Sequence, residues 1–166
     1  MSAVLFIAIP LLAAFISILS KKIAPYLLLA VSFGIIAALS LDLVPLETVM
    51  IGGFAAPYGI SLVFDDYSYM ALLVVNVLFF VVAVINVSQF KKLGSILLVS
   101  LAGLNGLLLT GDLFNLFVFL EISGISAYLI TTTNKKPLAT FNYLVLGTVG
   151  SSLYLMGLIM LYNMFG

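Results

Sequence analysis

The chain of 166 residues holds 6 lysines, 6 acidic residues and no arginine, histidine, cysteine or tryptophan. Charged residues make up 7% and hydrophobic ones 64%, against about 25% charged in soluble domains, so a water-soluble surface cannot be built. The formal net charge of zero gives nucleic acid no basic face to bind, and without Cys or His no disulfide, thiolate zinc site or catalytic triad can form.

In chain order, the hydrophobic residues fall into runs long enough to cross a hydrocarbon core of about 30 Å at about 1.5 Å per residue. These runs predict an all-α integral membrane protein of six transmembrane helices in one domain. The first covers residues 3–20 and carries Pro10, which neighbouring helices can tolerate. It does not read as a secretory leader, because no positive charge precedes it and two lysines follow it. The second covers 23–41. The connection after it holds GGFAAPYG between TVMI and ISLVF, which reads equally as a short β-hairpin or an irregular loop on the outer side. The third, fourth, fifth and sixth runs cover 67–90, 93–110, 112–133 and 138–162.

The lysines come in three pairs, Lys21 and Lys22, Lys91 and Lys92, and Lys135 and Lys136. Each pair follows an odd-numbered run, so all three share one side, which the positive-inside rule makes cytoplasmic. Both termini then face outward, in a cell (inner) membrane.

Five of the six acids lie at run ends or in loops, and Glu121 does not. It follows Asp112 by nine residues, about 13–14 Å along a helix and so near the bilayer centre. A carboxylate there costs about 2.5–3.5 kcal/mol on insertion scales. Replacement by Leu would be more stable, so Glu121 is the candidate ion-pathway residue. At about 100° per residue, Tyr128 falls on the same face two turns away and Gly124 one turn away. Ser123 and Ser126 fall on the opposite side with Asp112 and Asn115. Tyr128, Ser123 and Ser126 are secondary pathway candidates, although isolated hydroxyls in membrane helices mostly serve packing. Gly124, Gly147 and Ser151 read as packing positions, the last two as a small-xxx-small seam. Ser100, Gly103, Asn105 and Gly106 of the fourth run read the same way. The short link 110–112 makes runs four and five antiparallel neighbours. No lysine sits mid-span, so a counterion for Glu121 has to come from another chain. No metal site, cofactor site or independent catalytic constellation can be assembled from these residues.

The stretch GGFAAPYGISLVFDDYSY resembles the hairpin of the antiporter-like subunits. That family includes the D subunit of Mrp-type Na⁺/H⁺ antiporters and related subunits of complex I and membrane-bound hydrogenases. GDLFNLFVFLEISGISAYLI is similar to the family's fifth helix, glutamate included, and FNYLVLGTVGSSLYLMGLIMLY to its sixth. The resemblance implies proton conduction through Glu121, working with a lysine on a seventh helix. Full-length members are longer and contain two inverted helical repeats; this chain matches their leading helices.

The expectation is an ion-translocating subunit, one piece of a split module for H⁺ or Na⁺/H⁺ in an Mrp-type, hydrogenase-like or complex-I-like assembly. Other membrane subunits would supply the missing helices and the lysine, with lipid around them. Such a subunit is not an enzyme by itself, though it can belong to a redox-driven pump. The alternative is a structural subunit of the same kind of complex, with Glu121 a neutral hydrogen-bonding group.

Overall fold

With no water to satisfy amides and carbonyls, an apolar segment in lipid closes its backbone hydrogen bonds as a helix. The structure, a computed structural model, describes residues 2–20, 22–53, 59–87, 90, 93–132 and 137–165. Among these it has six helices and one two-stranded sheet. In order they are α1 (Leu5–Leu19), α2 (Ala24–Ser40), β1 (Thr48–Ile51), β2 (Ile60–Val63), α3 (Asp66–Ile85), α4 (Gly94–Leu109), α5 (Leu113–Thr132) and α6 (Pro137–Phe165).

The helix starts are written locally. Pro25 occupies the first turn of α2, where no backbone N–H is needed. A reciprocal pair opens α3: the Ser68 N–H donates to Asp65 Oδ1 at 2.8 Å and the Asp65 N–H donates to Ser68 Oγ at 2.8 Å. At α5 the Asn115 N–H donates to Asp112 Oδ1 at 2.7 Å, which satisfies one orphan donor of the first turn. The third helix stops at Ile85 rather than near residue 90, and there the Asn86 side-chain amide donates to the Val82 carbonyl at 3.1 Å.

Between α2 and α3 the chain forms a hairpin, which resolves the choice between hairpin and loop. β1 pairs antiparallel with β2, Thr48 opposite Val63 and Ile51 opposite Ile60. The chain leaves β1 through Gly52 (φ 84°) and Gly53 (φ 75°), backbone angles that only glycine adopts freely. The hairpin also holds the α4–α5 connection, since the Gly111 N–H donates to the Ser61 carbonyl at 2.9 Å. A side chain at Gly111 would meet Val63 Cγ2 at 2.7 Å, so glycine permits that approach.

Helix α4 lies at the centre, packed on α1 and α5 and also touching α2 and α3; α2 packs on α3, and α6 packs on α5. The core is apolar and spread along the bundle, with Leu28, Leu39, Leu72, Leu98, Leu101 and Leu109 fully enclosed. Two buried polar links cross it. Ser17 Oγ of α1 donates to Ser95 Oγ of α4 at 2.7 Å, and Asn105 of α4 bonds α1 and α3.

Helices α3, α5 and the 140–164 segment of α6 are long and apolar enough to cross a membrane. Their most apolar stretches are only 22%, 11% and 6% buried within the chain. A helix so apolar and so exposed needs lipid or another helix as its surroundings, which marks an integral membrane protein. The hairpin's bond to Gly111 places the α2–α3 and α4–α5 connections at one end of the bundle. Lys22 is exposed at the α1–α2 turn, while Lys21, Lys91, Lys92, Lys135 and Lys136 lie outside the described residues.

Candidate functional site

Glu121 lies eight residues into α5, about 12 Å from its start and near its middle. It is half-buried and lines a cleft of about 560 Å³ where α4, α5 and α6 meet. Helix α5 contributes Glu121, Ser123, Gly124 and Tyr128, and α6 contributes Gly147, Gly150, Ser151 and Tyr154. Helix α4 closes the third side with Ser100 and Leu104.

Small residues make the space. A methyl group added at Gly150 would meet nothing within 4 Å, and one at Gly124 would touch the Tyr128 hydroxyl at 3.4 Å. Gly147 differs, because the Tyr128 hydroxyl and ring occupy the volume where its side chain would stand. Tyr128 is 9% exposed, and the Tyr143 ring of α6 meets it edge to face at 4.8 Å. At Gly147 the close contact is therefore with an aromatic side chain. Gly147 admits the Tyr128 side chain, and with Ser151 it lines one wall of the cleft.

Helices α4 and α5 approach closely, backbone to backbone at Gly103 and through the Phe119 ring at Gly106. A side chain at Gly103 would stand 3.2 Å from the Ser123 amide nitrogen, and one at Gly106 would overlap the Phe119 ring. This seam holds the Glu121 helix against the centre of the bundle.

The structure thus brings Glu121, Tyr128, Ser123, Gly124, Gly147 and Ser151 to one cleft and leaves Ser126 out. Ser126 is buried away from the cleft lining, and its hydroxyl donates to the Ile122 carbonyl at 2.8 Å. Ser123 reaches the cleft despite its place opposite Glu121 on the helix, because three helices surround the space. Its hydroxyl donates to the Leu120 carbonyl at 3.0 Å.

Sequence reasoning missed Tyr154. Its hydroxyl donates to the Leu113 carbonyl at 3.3 Å and its ring stacks on Phe117 at 6.2 Å, which ties α6 to the start of α5. Its spacing of seven from Gly147 and three from Ser151 puts all three on one helical face, and that signal could have found it. Farther along, the Tyr162 hydroxyl donates to Asp112 Oδ2 at 3.3 Å. Among the described residues lining the cleft, Glu121 is the only charged one. No cation stands beside it within this set.

The comparisons with known proteins agree with this architecture. Residues 110–166 match the family model for the NADH:quinone oxidoreductase/Mrp antiporter transmembrane region. The chain is 37% identical to the N subunit of NADH-quinone oxidoreductase of Desulforudis audaxviator (strain MP104C) over 127 residues, covering 70% of this chain and 25% of that protein. It is 31% identical to the D subunit of the Na(+)/H(+) antiporter of Bacillus subtilis (strain 168) over 133 residues, covering 73% of this chain and 26% of the relative. Among solved structures, a chain of the archaeal membrane-bound sulfane sulfur reductase matches with a TM-score of 0.85 at 31% identity, covering 97% of this chain and 37% of that one. A chain of the Mrp complex from Dietzia sp. DQ12-45-1b matches with a TM-score of 0.82 at 26% identity, over 99% of this chain and 34% of that one. The chain spans about a quarter of the length of the curated relatives it matches. By sequence and by fold it is a homologue of the antiporter-like membrane subunits, the family that holds the Mrp D subunit and the N subunit of NADH-quinone oxidoreductase.

Proposed function

We propose that the chain is part of an antiporter-like ion-translocating module in which Glu121 carries the proton. The observation that supports this reading most is the position of Glu121 near the middle of α5, at an open cleft whose largely apolar walls also carry the hydroxyls of Ser123, Tyr128, Ser151 and Tyr154. An intramembrane carboxylate is expensive unless it is used or paired, and polar residues with water around it are the usual setting of a proton relay. In this reading Tyr128, Ser123 and Ser151 line the water path and Tyr154 orders its α6 wall. Ser126 serves helix geometry.

All six helices span the membrane in this account, in a single transmembrane domain, with the lysine-bearing connections on the cytoplasmic side of the cell membrane. Helices α1, α2 and α4 are 15, 17 and 16 residues long, or about 22–26 Å, short of a core of about 30 Å. Their terminal turns and local thinning of the bilayer cover the difference. The remaining helices, and a lysine counterion for Glu121, come from polypeptide outside these 166 residues. The exposed faces of α5 and α6 would receive them, and the assembly would be an Mrp-type exchanger of H⁺ and Na⁺ or a redox-linked pump. The chain itself binds no cofactor and catalyses no reaction alone.

The test is Glu121→Gln, measured as proton flux in vesicles holding the purified assembly. Flux falling at least about tenfold with the assembly intact is the expected result. Unchanged flux would favour the structural-subunit reading, in which Glu121 is a neutral hydrogen-bonding group.

A further inference from the structure

Pro10 sits inside α1 and has no N–H, so the carbonyl four residues earlier, that of Phe6, lacks the donor a continuous helix supplies. Phe6 is 3% exposed, and a buried carbonyl left without a partner is costly. The missing donor comes from another helix. Asn105 Nδ2 of α4 donates to the Phe6 carbonyl at 2.9 Å.

Asn105 is itself held from the far side. Asn76 Nδ2 of α3 donates to Asn105 Oδ1 at 3.1 Å and to the Leu72 carbonyl at 2.8 Å. Both asparagines are 0% exposed. The amide orientations are set by these partners: turned over, Asn105 would bring oxygen against the Phe6 oxygen and nitrogen against the Asn76 nitrogen. Asn76 Oδ1 remains buried with no hydrogen-bond partner among the described residues. A satisfied amide with one idle acceptor is a strained choice for packing alone, where Leu would fill the same space without polar groups.

The opposite face of α4 is the one that matters to the cleft. Gly103, two positions from Asn105 and about 200° around the helix, carries the close approach to Ser123. Leu104 and Ser100 form the α4 wall. The bond to Phe6 therefore anchors the back of the helix whose front shapes the cleft.

We propose that Asn105 is a positioning residue: its side-chain amide replaces the backbone donor that Pro10 removes, and this bond sets α4, and the α4 wall of the Glu121 cleft, against α1. This goes beyond the transport reading and does not depend on what Glu121 does.

The chain has no cysteine, so a Leu104→Cys reporter in the cleft wall can be read alone. The measurement is the rate of its modification by a small water-soluble thiol reagent, in native membranes, with Asn105→Leu, Pro10→Ala and the two combined. Asn105→Leu changes the rate about fivefold or more, since it removes the bonds to both Phe6 and Asn76. The double variant moves back towards the rate of Pro10→Ala, because alanine in place of Pro10 restores an N–H to the Phe6 carbonyl, while the Asn76 amide stays without its partner. An Asn105→Leu rate equal to that of the parent, or a double variant as disturbed as Asn105→Leu, would overturn the proposal. If Asn105→Leu fails to accumulate in the membrane, recovery of the protein by Pro10→Ala supports the proposal and continued loss overturns it.

Discussion

Gly147 and Gly150 stand one turn apart on α6, and the structure separates them sharply. An alanine at Gly147 would overlap Tyr128, while one at Gly150 enters open space. Alanine is the better helix former by about 1 kcal/mol, so propensity alone would favour both changes. Packing reverses that at one of them: Gly147→Ala should destabilise the chain by about 1–3 kcal/mol as Tyr128 is displaced. Gly150→Ala should be neutral or slightly stabilising, within about 1 kcal/mol. Thermal unfolding of the two variants in detergent checks the contrast; equal effects would show that Tyr128 does not rest on Gly147. The same pair shows what the sequence could and could not say at this scale. Small residues at helical spacing announce a close approach, but not that its occupant is the Tyr128 side chain. Glu121 was legible because one acid in the middle of an apolar run has no cheap explanation. The Asn76–Asn105 contact was not, because 29 residues separate the partners and Asn105 read only as a packing position.

Among the elements, the start of α3 makes a pH prediction. The Asp65 carboxyl is held below its ordinary value of 3.8, first by the Ser68 hydroxyl and then by the Ser68 N–H. Because the folded-state value is the lower one, the stabilisation is complete above 3.8 and is lost as pH falls through the depressed folded value. Asp65→Asn keeps an acceptor for the cap but does not titrate. Thermal stability of the parent should therefore fall more steeply than that of Asp65→Asn as pH drops below 3.8; parallel curves would remove the cap from the acid response. The six helices themselves were legible from run length, since a bilayer demands closed backbone hydrogen bonding. Their ends were less so: α3 stops at Ile85, short of the residue-90 limit that the run suggested. The hairpin was legible as one of two choices, and β1–β2 pairing together with the Gly111 bond decides it. No periodic pattern encodes that bond, because it is a backbone contact between distant connections.

At the scale of the whole molecule, burial is uneven in a way that carries meaning. Helix α4 is enclosed on most sides, whereas α5 and α6 leave large apolar side chains such as Leu120, Leu146 and Leu153 exposed. The well-packed centre around α4 backs the less buried α5–α6 side that holds the cleft. Glu121 stands at that boundary, which is the reason its role can be separated from that of Asp112 on the same helix. Asp112 caps α5 and accepts from Tyr162, and Asn is an equally good cap. The deciding measurement is proton flux through the reconstituted assembly with Glu121→Gln beside Asp112→Asn. The account predicts loss of at least about tenfold for Glu121→Gln and a change within about twofold for Asp112→Asn, at equal assembly. Equal flux in the two variants, whether both retained or both lost, would contradict the claim that the mid-membrane carboxylate carries the proton.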